Sequence, residues 1–332
     1  LHKGPRVFAH RAGVCKDIAS MLVTMLRAAG FTAYPAMTMA GARVEDVPAD
    51  QFNHCVVALS KPRGGFEMLD PTWAPLSRQL WSNAERLQHY LVGTPRGETL
   101  QRIPAQKAAA NQLNVKAETR LLGADGEVQV ALEVWGTGYP DTGLRRQLGA
   151  SHSPGDVRHY FERIAGRISP YARVKKYAFR DFADLARPFG FRMTVRAPRY
   201  ALRGARLIRI RPVLWNHVMA QPRSAYYLKV TKGKRRTQPV QLRATQQVTF
   251  TERIRLPRGY RLLQKVRPMM VKRPGASLLV RAVHKPGHVD VTTQLVISKR
   301  GFKASEYKHL KAVVDALRGL RRRALYLVRN GR

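Results

Sequence analysis

The chain has 332 residues, 44% of them hydrophobic, with 60 Lys+Arg against 21 Asp+Glu and a formal net charge of +39. That length exceeds what one hydrophobic core usually serves, and the composition is that of a folded chain, not a disordered one. No run approaches the ~18 apolar residues of a membrane-spanning helix, and the opening LHKGPRVFAHRAGVCKD has no signal-peptide pattern.

The charge is uneven. Residues 1–100 hold 11 basic and 8 acidic residues, a balance of +3, whereas residues 101–332 hold 49 and 13, a balance of +36. From Leu185 to Phe250 there are 15 Lys/Arg and no carboxylate. Such a field attracts anions of any kind, from nucleic acid to anionic lipid and acidic glycans. The two cysteines, Cys15 and Cys55, are too few for a disulfide framework.

In chain order, Ile18, Met21, Leu22, Met25 and Leu26 predict one face of a first helix, which Gly30 ends. Strands follow at 33–39, 54–59 and 66–69, with a polar loop at 40–52 between the first two and a helix at 83–91 after the third. From about residue 111 the pattern is mostly strands, at 129–134, 191–195, 206–211, 226–230, 248–256, 278–283 and 289–297. Turn residues such as Asp125-Gly126, Pro257-Arg258-Gly259 and Lys285-Pro286-Gly287 punctuate them. Helices are predicted at 154–168 and 305–320, the latter with a core-facing stripe of Tyr307, Leu310, Val313, Val314 and Leu317, and a closing strand at 324–328. The expected class is α+β: a core at 1–105, then a basic, mainly antiparallel β region at 106–332 of sandwich-like or related architecture.

Three residues stand out for chemistry. Cys15, in Gly13-Val14-Cys15-Lys16-Asp17, opens the first helix, where the dipole and unpaired N–H groups favour a thiolate. The strands at 54–59 and 66–69 flank the turn Lys61-Pro62-Arg63-Gly64-Gly65. Pairing residues whose numbers sum to about 124 sets His54 opposite Asp70 on one face, as an orienting carboxylate requires. The alternation sends Cys55 to the other face, into the core. A thiol, a base and a group orienting that base form the signature of nucleophilic catalysis.

The segments GVCKDIASMLVTMLRAAGFTAYPAM, FNHCVVAL and MLDPTW resemble the three core motifs of bacterial transglutaminase-like proteins of the papain type. The nearest subgroup pairs that core with β-rich domains of unknown function. The resemblance is strong over residues 8–100 and weaker beyond, in GTGYPDTGLRRQL and EYKHLKAVVDAL. It implies Cys15 as nucleophile, His54 as general base and acid, Asp70 as the orienting residue, and a periplasmic or extracellular (cell-envelope) setting. Residues 1–14 hold no Gln, Asn, Trp or Tyr to assist an oxyanion, so the donor the sequence names is the Cys15 backbone N–H.

The expected function is therefore cysteine-dependent acyl transfer or hydrolysis on peptide or protein amides. The alternative is a catalytically inactive scaffold whose basic region binds an anionic polymer or surface. A metal held by Cys15, His54 and Cys55 is disfavoured, because adjacent strand residues point to opposite faces. No GxxxxGK[ST] or GxGxxG phosphate loop occurs, so no cofactor is expected.

Overall fold

The computed structural model describes residues 2–39, 51–73, 86–123, 125–149, 153–216, 219 and 225–330. Most of the expected loop at 40–52 and the start of the expected helix at 83–91 lie outside them. The chain is α+β and divides into two compact units, Leu1–Gln106 and Lys107–Arg332. No helix among the described residues is long and apolar enough to cross a membrane.

The first unit opens with helices α1 (Gly4–His10) and α2 (Cys15–Ala28). Its strands are β1 (Ala33–Thr38), β2 (His54–Ser60), β3 (Phe66–Leu69), β4 (His89–Val92) and β5 (Gln101–Arg102), in the order β3-β2-β1-β4-β5. All four pairings are antiparallel. β4 corrects the helix expected at 83–91. Leu87, Tyr90 and Leu91 mimic helical spacing, but Tyr90 and Val92 alternate into the core as a strand does and pair with Thr38 and Ala36.

α2 lies against β1 and β2 through a stripe that keeps Leu22 and Leu26 of the expected face and is centred on Ala19 and Val23. Ala19 and Val23 are buried, with Cys15, Leu22 and Leu26 packed around them, while Met25 is exposed. Small Ala19 lets the helix approach Val57 and Ala33 closely, and Met25 turns outward. That orientation puts Cys15 on the sheet-facing side.

The second unit contains β6 (Gln112–Leu121), β7 (Val128–Gly136), α3 (Tyr139–Gly149), α4 (Pro154–Ile168), β8 (Arg173–Phe179), β9 (Gly190–Ala197), β10 (Leu202–Arg203), β11 (Leu207–Ile210) and α5 (Tyr226–Val230). There follow β12 (Val240–Gln241), β13 (Gln246–Arg255), β14 (Tyr260–Leu262), β15 (Met269–Arg273), β16 (Ala276–Lys285), β17 (His288–Ile297), β18 (Gly301–Phe302), α6 (Tyr307–Leu320) and β19 (Leu325–Arg329). One sheet has eight strands, β15-β16-β17-β13-β6-β7-β9-β8; a smaller one is β10-β11-β19-β14. One core joins the large sheet's inner face to α3, α4, α6 and Ile208, Ile210, Leu325 and Leu327 of the small sheet. The packing is thus sheet against helices and a second small sheet, not a plain sandwich. Within the large sheet β6 and β13 run parallel.

The strand expected at 226–230 is the short helix α5. Tyr227 is buried, Thr231 Oγ1 donates to the Tyr227 carbonyl at 2.6 Å, and Arg318 donates to the Leu228 and Thr231 carbonyls. Those partners satisfy a helical turn, and tertiary contacts override the β propensity of Tyr and Val.

Candidate active site

Cys15 is the first residue of α2. Val14, at the N-cap position, has no side-chain oxygen to cap the helix, and Asp17 supplies the missing acceptor from the third helical position. Its carboxylate accepts the Val14 N–H at 3.1 Å and the His2 backbone N–H at 2.8 Å, and meets His2 Nδ1 at 2.8 Å. The hydrogen bonds from the His2 side chain and backbone hold this carboxyl well below the usual carboxylate range. Gly13 is required beside it: a Cβ there would lie 2.7 Å from Asp17 Cβ.

His54 opens β2, across from fully buried Thr38 on β1. β2 and β3 pair Val57 with Leu69 and Ser60 with Phe66, so paired numbers sum to 126, not 124. Asp70 therefore does not sit directly opposite His54. The slip is two residues, an even number, so the two side chains keep the same face. The ladder ends at Leu69, and the chain bends into a 3-10 turn, Pro71–Trp73, that carries Asp70 back to the imidazole. His54 Nε2 and Asp70 Oδ2 are 2.9 Å apart, and Asp70 Oδ1 accepts the Thr72 N–H at 3.0 Å. Asp70 is wholly buried and His54 is 8% exposed.

The early end of β3 also creates the place for sulfur. Even-numbered residues of β2 bond toward β1, as Ser60 N–H does to Thr32 O at 2.9 Å, so the Cys55 N–H points toward β3. With β3 gone from that level, the Cys55 N–H donates to the Cys15 sulfur instead, as does the Lys16 N–H, and His54 is hydrogen-bonded to the same sulfur. Burial pushes the Cys15 thiol up, but the Cys55 N–H, the His54 side chain and its charge, and the Lys16 N–H outweigh it, and the net shift is downward. Cys55 behaves oppositely: burial, reinforced by the neighbouring Cys15, pushes its thiol up to about 11. Its side chain is buried among Ala19, Val23, Ala33 and Val57, the core position the alternation predicts.

The structure thus places Cys15 beside His54, whose imidazole Asp70 holds at 2.9 Å. Chemically, the arrangement holds a thiol whose pKa is lowered beside an imidazole fixed in orientation by a buried carboxylate. Sequence reasoning missed Asp17, although an acid three residues past an N-cap is a capping signal. It also missed the two backbone groups, the N–H of Cys55 and of Thr72, which no side-chain motif announces.

Residues 210–327, all within the second unit, match a family described as a domain of unknown function with solved structure, DUF3858. No curated protein matches the chain by sequence. Among solved structures, a protein from Parabacteroides distasonis described as "a putative protease" superposes with a TM-score of 0.55 and 12% identity, covering 99% of this chain. This chain spans 46% of that protein's length. At that identity the likeness establishes a shared fold.

Proposed function

We propose that the chain is a cysteine-nucleophile enzyme, transglutaminase-like in its core, that transfers or hydrolyses acyl groups at peptide or protein amides. The observation that carries the reading is the coincidence, at one strand end, of a thiol with lowered pKa, an imidazole and a buried carboxylate. Cys15 Sγ attacks the amide carbonyl carbon and its proton goes to the His54 imidazole. With Nε2 held by Asp70 at 2.9 Å, Nδ1 is the ring nitrogen that carries this proton. The C–N bond then breaks as His54 returns the proton to the leaving nitrogen, and a thioester stays on Cys15. Water or a second amine releases the acyl group, giving hydrolysis or cross-linking. The Cys15 N–H, first in its helix and without an intrahelical acceptor, is the donor assigned to the developing oxyanion.

The description of the Parabacteroides protein favours amide substrates for this chain as well. Incubating the chain with dimethylcasein and a fluorescent primary amine tests the reading, following dye incorporation, ammonia release and new peptide termini together. At least one signal is expected and Cys15→Ala abolishes it. Signals no greater than those of Cys15→Ala refute the proposal.

A further inference from the structure

The small sheet β10-β11-β19-β14 is apolar on both faces. Its inner residues Ile208, Ile210, Leu325 and Leu327 belong to the core. On the outer face the pairing aligns Leu202 with Arg209 and Arg209 with Tyr326, and the Leu263 N–H, donating to the Tyr326 carbonyl at 2.7 Å, extends that row to Leu263. A second row runs Leu207–Val328–Arg261. At a strand spacing of about 4.8 Å the longer row spans roughly 14 Å. Leu202 is 60% exposed, Leu263 47%, Tyr326 41% and Leu207 39%. Single exposed leucines need no explanation, but four large apolar side chains gathered on one sheet face do.

The charge carried by the two rows is of one sign. Arg209 sits mid-row and Arg261 ends the second row, whereas Arg203, Arg206 and Arg329 alternate to the opposite face. None of the four strands contains a carboxylate, and β10 and β11 fall inside the stretch from Leu185 to Phe250 that has none. The outer face of the large sheet differs, because carboxylates there pair with arginines: Arg192 with Glu133 at 2.7 Å and Arg253 with Asp290 at 2.7 Å. A second copy of the same face would press guanidinium against guanidinium without a counter-ion. Among the described residues of this face, single-stranded nucleic acid finds one aromatic ring, Tyr326, to stack on, and leucines offer bases nothing. An anionic bilayer answers both parts: leucines and the tyrosine enter the headgroup–acyl boundary while the guanidiniums grip phosphates.

We propose that the outer face of this four-stranded sheet docks the protein on a lipid bilayer bearing anionic headgroups. The inference is independent of the chemistry at Cys15. Co-sedimentation of the full chain with vesicles of phosphatidylglycerol and phosphatidylcholine, against phosphatidylcholine alone, reads it. Binding is expected only to the anionic vesicles. Arg209→Gln and Arg261→Gln each lower the partition coefficient about fivefold. Leu202→Glu and Tyr326→Glu lower it further, with melting curves confirming the fold, and Arg192→Gln on the large sheet leaves it unchanged. The proposal is overturned by equal binding to both vesicle types, by no binding to either, or by a loss in Arg192→Gln as large as in Arg209→Gln. It is overturned equally if the Leu202 and Tyr326 variants keep vesicle binding but lose self-association or binding to single-stranded DNA.

Discussion

Replacing His54 by alanine should move the alkylation midpoint of Cys15 upward in pH. In the folded protein burial raises the thiol, and four effects lower it: the Cys55 N–H, the His54 hydrogen bond, the His54 charge and the Lys16 N–H. His54→Ala deletes the middle two and keeps the upward pull. Losing one charge-assisted hydrogen bond costs about 1.5–3 kcal/mol, which reduces the thiolate population at neutral pH roughly 10- to 150-fold. A more basic thiolate is a better nucleophile, and a Brønsted slope of about 0.4–0.5 restores nearly half of that loss on a logarithmic scale. The net expectation is alkylation roughly 4- to 15-fold slower. Iodoacetamide kinetics across pH, with Cys15 and Cys55 peptides resolved by mass spectrometry, make the test. Cys55, buried and pushed up to about 11, stays slow in both proteins and serves as the internal standard. A change of access alters the plateau rate but not the midpoint, so the two effects separate. An unmoved or lowered midpoint in His54→Ala would refute the coupling between imidazole and sulfur.

Other consequences follow from the same geometry. Gly13→Ala forces a Cβ to within 2.7 Å of Asp17 Cβ, so it should lower the melting temperature and also slow Cys15 alkylation by loosening the helix start. The Asp17 carboxyl is depressed in the folded state, so the stability it contributes is fully present above its ordinary value of 3.8 and is lost as pH falls below it; Asp17→Asn should flatten that acid limb in melts recorded against pH. Arg145→Met removes a fully buried guanidinium that donates to Asp141 at 2.9 Å and to the carbonyls of Phe182, Asp184 and Arg187. Chemical denaturation should register a loss of about 3–5 kcal/mol, because Asp141 Oδ2 and three carbonyls lose the guanidinium, while Asp141 Oδ1 keeps the Phe189 N–H.

The parts of the fold legible in the sequence are those with local signals. The helix Pro154–Ile168 has its Ser153 cap, an early proline and Asp156 in the capping-box position, and its bounds are those predicted. The strands around the site were bounded by an apolar run and a Pro-Arg-Gly-Gly turn. His54 and Asp70 were legible as partners because face parity survives an even slip, although the register itself shifted by two. What local reading missed depends on distant residues. α5 is helical because Arg318, some ninety residues away, bonds its carbonyls. β6 and β13 pair across more than one hundred residues of chain, and β10, β11, β14 and β19 find one another only in three dimensions. On α2, Leu22 and Leu26 were legible as core-facing, whereas the centre of the stripe lies at Ala19 and Val23, because close approach to the sheet selects a small side chain.

The most direct measurement is the mass of the protein quenched milliseconds after mixing with an activated peptide ester, followed by mapping of the added acyl group. The account predicts a single adduct on Cys15, labile to hydroxylamine, that forms far more slowly in His54→Ala and not at all in Cys15→Ala. An adduct on lysines alone, or equal acylation of Cys15 and Cys55, would contradict it.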